Sequence, residues 1–143
     1  MSNPEDAERR ETRATPPTFR ARSLMPSITV DDLPASRSWY GDVLGFHVAD
    51  EYEMDGVVRS LRLVAGSVEV ILNQDDGAKG RDRTKGQGFS FNLETVQDVD
   101  ALASRIEEAG GALESSVEDK PWGVRSFSIR DPDGFLWVIS RAL

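Results

Sequence analysis

Residues 120–140 read Lys120-Pro-Trp-Gly-Val-Arg-Ser-Phe-Ser-Ile-Arg-Asp-Pro-Asp-Gly-Phe-Leu-Trp-Val-Ile-Ser140. Val124 to Arg130 and Phe135 to Ser140 are rich in β-branched and aromatic residues, which suit a pleated strand. Between them, Asp131-Pro132-Asp133-Gly134 combines a Pro that fixes φ with a Gly that reaches positive φ. The stretch therefore predicts a β-hairpin.

An earlier copy of this hairpin exists. Val58-Arg59-Ser60-Leu61-x-Leu63 reappears 66 residues on as Val124-Arg125-Ser126-Phe127-x-Ile129, and Gly66-x-Val68-x-Val70-Ile71 reappears 68 residues on as Gly134-x-Leu136-x-Val138-Ile139. Two matched segments, in order and at nearly one offset, predict an internal duplication, with each hairpin preceded by a strand, a helix and another strand. The expected plan is two tandem βαβββ modules.

Working outward, the first strand is expected over Leu24 to Val30, with Leu24, Ile28 and Val30 on one face and Met25, Ser27 and Thr29 on the other. Asp31-Asp32-Leu33-Pro34 offers an N-cap and a first-turn Pro, so a helix follows, with Leu33, Tyr40 and Leu44 as its apolar stripe and Gly45 as its stop. Strands are expected over Phe46 to Met54, Val57 to Ala65 and Ser67 to Asn73, the last alternating Val68, Val70 and Leu72 with Glu69, Ile71 and Asn73. A polar, Gly-containing linker, expected to be mobile, covers 75–87. The second module opens with Gly88 to Glu94, where Phe89, Phe91 and Leu93 alternate with Gly88, Ser90 and Asn92. Val99, Leu102, Ala103 and Ile106 then recur at helical spacing, Gly110-Gly111 ends that helix, and Ala112 to Val117 makes a short strand before the closing hairpin.

The predicted domain organisation is a disordered tail over 1–22 and one domain over 23–143, with module one at about 23–74 and module two at about 88–143. A chain of 143 residues buries enough surface to build a core without disulfides or structural metals. The absence of Cys removes thiol chemistry and Cys-ligated zinc, and suits a reducing compartment. Net charge is −8, which disfavours nucleic acid and anionic membrane as partners, because both are held by Lys and Arg. No apolar run approaches the roughly 20 residues of a membrane helix, and a cytoplasmic protein is expected.

The opening strands of both modules share an apolar face for the helix and a small, polar face. Polar groups in that position suggest a wet concavity. Catalytic side chains are scarce: the sole His, His47, follows Gly45-Phe46, and the acidic pairs fall in the linker and in a turn.

These stretches resemble the vicinal oxygen chelate superfamily, which includes glyoxalase I, bleomycin-resistance proteins and extradiol dioxygenases. The resemblance is carried by Ile28-Thr29-Val30-Asp31-Asp32-Leu33, Ser36-x-x-Trp39-Tyr40-x-x-Val43-Leu44-Gly45-Phe46, Val99-Asp100-Ala101-Leu102 with Gly110-Gly111-Ala112, and Trp122-Gly123-x-Arg125 with Asp131-Pro132-Asp133-Gly134. It implies an α+β fold of paired βαβββ modules whose eight strands form a curled mixed sheet around a cavity, helices outside, in a homodimer. Metal-dependent members of the family place ligands on the first and fourth strands of each module. Here the resemblance puts Met25 and Gly88 at the two first-strand positions, Val70 or Ile71 at the first fourth-strand position and Val138 at the second. Thioether, hydrogen and alkyl groups do not supply the nitrogen or oxygen donors that such an ion needs.

No catalytic residue, metal ligand or cofactor is therefore assigned. The expected ligand-binding residues are Met25, Ser27, Thr29, Tyr40, Glu69, Ile71, Ser90, Asn92, Trp122, Arg125 and Val138. The leading expectation is a metal-free protein resembling the bleomycin-resistance branch that sequesters an aromatic or cationic small molecule at a dimer groove. Two alternatives stand beside it: a glyoxalase-like lyase or other enzyme of the superfamily acting on an oxygenated substrate, and a structural or regulatory dimer with a filled cavity.

Overall fold

A computed structural model describes Pro4 and residues 19–143. Most of the expected tail, residues 1–3 and 5–18, lies outside the described residues. The elements run β1 (Ser27–Val30), α1 (Leu33–Ser38, continuing as a π-helical turn over Trp39–Leu44), β2 (His47–Met54), β3 (Val57–Ala65), β4 (Val68–Gln74), β5 (Ser90–Glu94), α2 (Val99–Glu108), β6 (Leu113–Lys120), β7 (Val124–Arg130) and β8 (Leu136–Ala142). The chain is α+β and consists of two successive βαβββ modules.

Each module forms a four-stranded mixed sheet, ordered β1-β4-β3-β2 and β5-β8-β7-β6, curled but not closed. The first strand of each pairs in parallel with the last, and the other pairs are antiparallel. β1 is shorter than its apolar alternation predicts. Pro26 has no N–H to donate to the ladder, although its carbonyl accepts from Ile71 N at 2.8 Å.

The first helix starts at the predicted cap, and the second starts in the same way at Asp98. Asp32 accepts from Ala35 N at 3.1 Å, and Asp98 accepts from Asp100 N at 2.9 Å and Ala101 N at 3.2 Å. Gly45 ends the first helix with φ 88°, in the left-handed region. The π-helical turn is an unpredicted feature; it carries Tyr40, Val43 and Leu44 into the core.

One core serves both modules. Ile28, Val30, Leu61, Leu63, Val70 and Leu72 from the first sheet and Phe127, Ile129, Trp137 and Ile139 from the second belong to the same buried cluster as Tyr40, Phe46 and Ile106. The ring of Trp137 lies edge-on to Phe46 and Tyr40, with centroids 5.6 and 5.9 Å away. Such pairs add about 0.5–1.5 kcal/mol beyond the area they bury.

The linker is tied at its end. Lys85 Nζ bonds Asp31 at 2.5 Å and Asp75 at 2.9 Å, with its side chain only 6% exposed.

Candidate ligand-binding faces

Because β residues alternate, each sheet that buries one face in the shared core leaves a second face open. In module one the strand register aligns Ser27 with Ile71, Thr29 with Asn73, Ser60 with Asn73 and Arg62 with Ile71, so these side chains share the open face. Asn73 Nδ2 donates to Ser27 Oγ at 2.8 Å, and Ser60 Oγ donates to Asn73 Oδ1 at 2.8 Å. Glu69 lies on this same face, but its carboxylate is already engaged: Arg62 donates to it at 2.6 Å and to Asp50 at 2.7 Å. Arg62 is the functional candidate the sequence reading missed. Its period-2 relation to Ser60 was the available signal.

In module two, Ser90 aligns with Leu136, Asn92 with Val138, Val138 with Ser128, and Ser140 with Ser126. Ser128 Oγ and Ser115 Oγ are 2.6 Å apart. Ser126 and Ser128 are 2% and 8% exposed although both face away from the core. These two small side chains lie in a curled sheet, flanked by Ser115 and Glu118 on β6 and by Val138 and Ser140 on β8.

The ladders also fix how the modules correspond. Leu61 and Leu63 pair with Leu72 and Val70, whereas Phe127 and Ile129 pair with Ile139 and Trp137. Val70 therefore matches Trp137, and Ile71 matches Val138, one residue away from the sequence match over the fourth strands. Val70 is a core residue, so of the two fourth-strand alternatives only Ile71 faces outward. By the same logic Ser27 matches Asn92 and Met25 matches Ser90, rather than Gly88.

The predicted site residues thus separate into three groups. Met25, Ser27, Thr29, Glu69 and Ile71 go with the open side of module one, and Ser90, Asn92 and Val138 with that of module two. Tyr40, Trp122 and Arg125 belong to neither. Tyr40 is 0% exposed, donates to Asp131 Oδ2 at 2.6 Å and accepts from Trp137 Nε1 at 3.0 Å, so it is a core residue without ligand access. Arg125 alternates with Ser126 and points to the helix side, where Asp100 (2.8 and 2.9 Å) and Asp119 (2.9 Å) hold it. Trp122 is 72% exposed in the turn between β6 and β7. His47 is exposed at the start of edge strand β2.

The two open faces lie on opposite sides of the molecule, because both sheets turn their other faces to one core. A separate cleft of about 1140 Å³ lies between Leu44, Phe46, Val68, Leu93, Arg105 and Ile139. None of the predicted ligand residues lines it, or the shallower cavity of about 600 Å³ between Lys85, Phe89, Arg130 and Asp133.

A metal of the kind this fold suggests is not matched by these residues. The corresponding outward positions carry the thioether of Met25, the alkyl groups of Ile71 and Val138 and the hydroxyl of Ser90, a weak donor set. Among the described residues, no three His, Cys, Asp or Glu side chains group closely enough to hold one ion.

Comparisons with known proteins agree with this architecture. The family model described as Glyoxalase/Bleomycin resistance protein/Dioxygenase superfamily matches residues 22–139. An uncharacterized protein of Mycobacterium tuberculosis strain H37Rv, Rv0887c, is 29% identical over 127 residues, covering 83% of this chain and 74% of its own. Among solved structures, TioX from Micromonospora sp. ML1 superposes with a TM-score of 0.69 at 25% identity, covering 84% of this chain and 98% of its own. TnmS3, an antibiotic binding protein from Streptomyces sp. CB03234, gives 0.66 at 22% identity, covering 87% and 100% respectively.

Proposed function

Because this chain belongs to the glyoxalase/bleomycin resistance protein/dioxygenase superfamily, we propose that it binds a small organic molecule between the module-one face of one copy and the module-two face of a second. The observation that carries this reading is the pair of matched open faces, both studded with small polar side chains, set on opposite sides of a single chain. Each face alone is a shelf; two copies related by a twofold axis would bring unlike shelves together twice and make two equivalent sites. The ligand is held without a metal ion and is sequestered unchanged, since the faces offer hydrogen-bonding groups but no placed nucleophile or general base. An aromatic guest suits the alkyl groups of Ile71, Leu136 and Val138. A cationic guest is less well served than the acidic composition suggests, because Glu69 is already neutralised by Arg62. A cytoplasmic setting is part of this proposal, and the cysteine-free sequence is compatible with it.

A subunit-mixing experiment tests the shared site. Ile71→Arg and Val138→Arg each place a charge on one open face and are expected to abolish binding of the uncharged fluorophore N-phenyl-1-naphthylamine, which the wild-type protein should bind with saturation. Co-refolded in equal amounts, the two variants form mixed dimers with one doubly blocked site and one intact site, so partial binding returns. Sedimentation as a monomer, or no recovery on mixing, would overturn the shared-site reading.

A further inference from the structure

We propose that Ser126 is a specificity-determining contact of the module-two face, and that this face takes a flat, oxygen-bearing part of the ligand that carries no negative charge. The inference rests on the binding reading above and names the ligand chemistry of the same site. Its starting point is one hydroxyl. Ser126 is 2% exposed, it faces away from the core, and its side chain makes no hydrogen bond or ion pair with any described residue. Its oxygen is not sealed from solvent, so a ligand lying on the face can reach it and complete its hydrogen bonding.

The surroundings explain what that hydroxyl is free to do. Its cross-strand neighbour Ser140 donates to Leu93 O at 3.3 Å, while Ser128, two residues along, is paired with Ser115 at 2.6 Å. Ser126 is thus an unpaired hydroxyl among paired ones, at the concave centre of the sheet. The cations at the margins of this face are neutralised, and the charge that remains is negative: Glu118 lies opposite Ser126, and Glu94, beyond Ser140, forms no ion pair with a described residue. Lys120 is paired with Glu118, and Arg130 with Glu114 at 3.2 Å and with Gly134 O at 2.8 Å. An anionic ligand would meet no free counter-charge here and would lose its hydration for nothing. A carbonyl or ether oxygen would accept from Ser126 Oγ, and the small serines leave room for a ring to lie on Leu136 and Val138.

Three bicyclic probes of similar size test this: coumarin, naphthalene and 2-naphthoate, titrated by calorimetry or ligand-observed NMR into the wild-type protein and into Ser126→Ala. The variant is expected to weaken coumarin by roughly three- to tenfold, the worth of one neutral hydrogen bond, and to leave naphthalene within about a factor of two. 2-Naphthoate should bind more weakly than coumarin to both proteins. The melting temperature should be unchanged or raised, because removing an unpaired hydroxyl breaks no bond within the protein; a lowered one would mark Ser126 as structural and overturn the assignment. If the variant weakens coumarin and naphthalene equally, or neither, the inference fails while small-molecule binding stands. If neither these probes nor N-phenyl-1-naphthylamine binds the wild type, both readings fail.

Discussion

The Tyr40 hydroxyl donates to the Asp131 carboxylate at 2.6 Å, across 91 residues of sequence and inside the core shared by both modules. The same phenol oxygen accepts from Trp137 Nε1 at 3.0 Å, and the other Asp131 oxygen accepts from Phe135 N at 2.8 Å and Asp133 N at 2.9 Å. This network fastens the first helix to the closing hairpin and so sets how the two sheets, and their open faces, are oriented.

Tyr40→Phe keeps the ring and removes the donor. It strands Asp131 Oδ2 and Trp137 Nε1 in the core, so a loss of about 1–3 kcal/mol is expected in urea unfolding, with an unchanged dependence on denaturant. A loss below about 0.5 kcal/mol would mean that the network contributes little to stability.

Burial first, and then the charge of Asp131, raise the Tyr40 phenol far above the ordinary value of 10.0. A raised folded value means that the native state keeps its proton where the unfolded chain has lost it. The stabilisation is therefore complete below about pH 10 and is lost as pH climbs beyond it. In a Tyr52→Phe variant, which leaves Tyr40 as the single tyrosine, tyrosinate absorbance should appear together with alkaline unfolding and not before it.

Asp75 behaves in the opposite sense. Lys85, by hydrogen bonding, holds its carboxyl at about 2, below the ordinary 3.8. A depressed folded value stabilises the protein above about pH 4, and that contribution disappears as the medium is acidified toward pH 2. Lys85→Met should flatten the acid limb of the stability profile over this window; an identical limb in variant and wild type would rule the pair out as its source.

Gly86 has φ +73°, and a Cβ there would come within 2.6 Å of the Gly134 backbone. Gly86→Ala combines left-handed strain with a clash against backbone that cannot step aside, and a loss of at least about 2 kcal/mol is expected. Gly56→Ala is the control: its φ is +77° but nothing lies within 4 Å, so strain alone should cost about 1 kcal/mol. Equal losses in thermal or urea unfolding would refute the backbone contact between linker and hairpin.

The sequence by itself determined the duplication, the cap of the first helix and which side of β1, β4 and β5 is apolar, because these follow from local spacing: period two for strands, about 3.6 for helices, and polar caps at helix starts. What it misjudged was the register of the last strand. Gly66 and Gly134 both have positive φ, which makes them look equivalent, but they stand in turns of different length. Matching them moved β8 by one residue, and a one-residue shift exchanges the two faces. Tyr40 and Arg125 were likewise misjudged because a position in a helix or strand does not say what lies opposite. Only the tertiary structure decided that Tyr40 is sealed against Asp131 and Trp137, that Glu69 is taken by Arg62, and that the two polar faces look away from each other. Those facts depend on how two sheets share one core, and contacts between residues far apart in the chain leave no periodic trace in it.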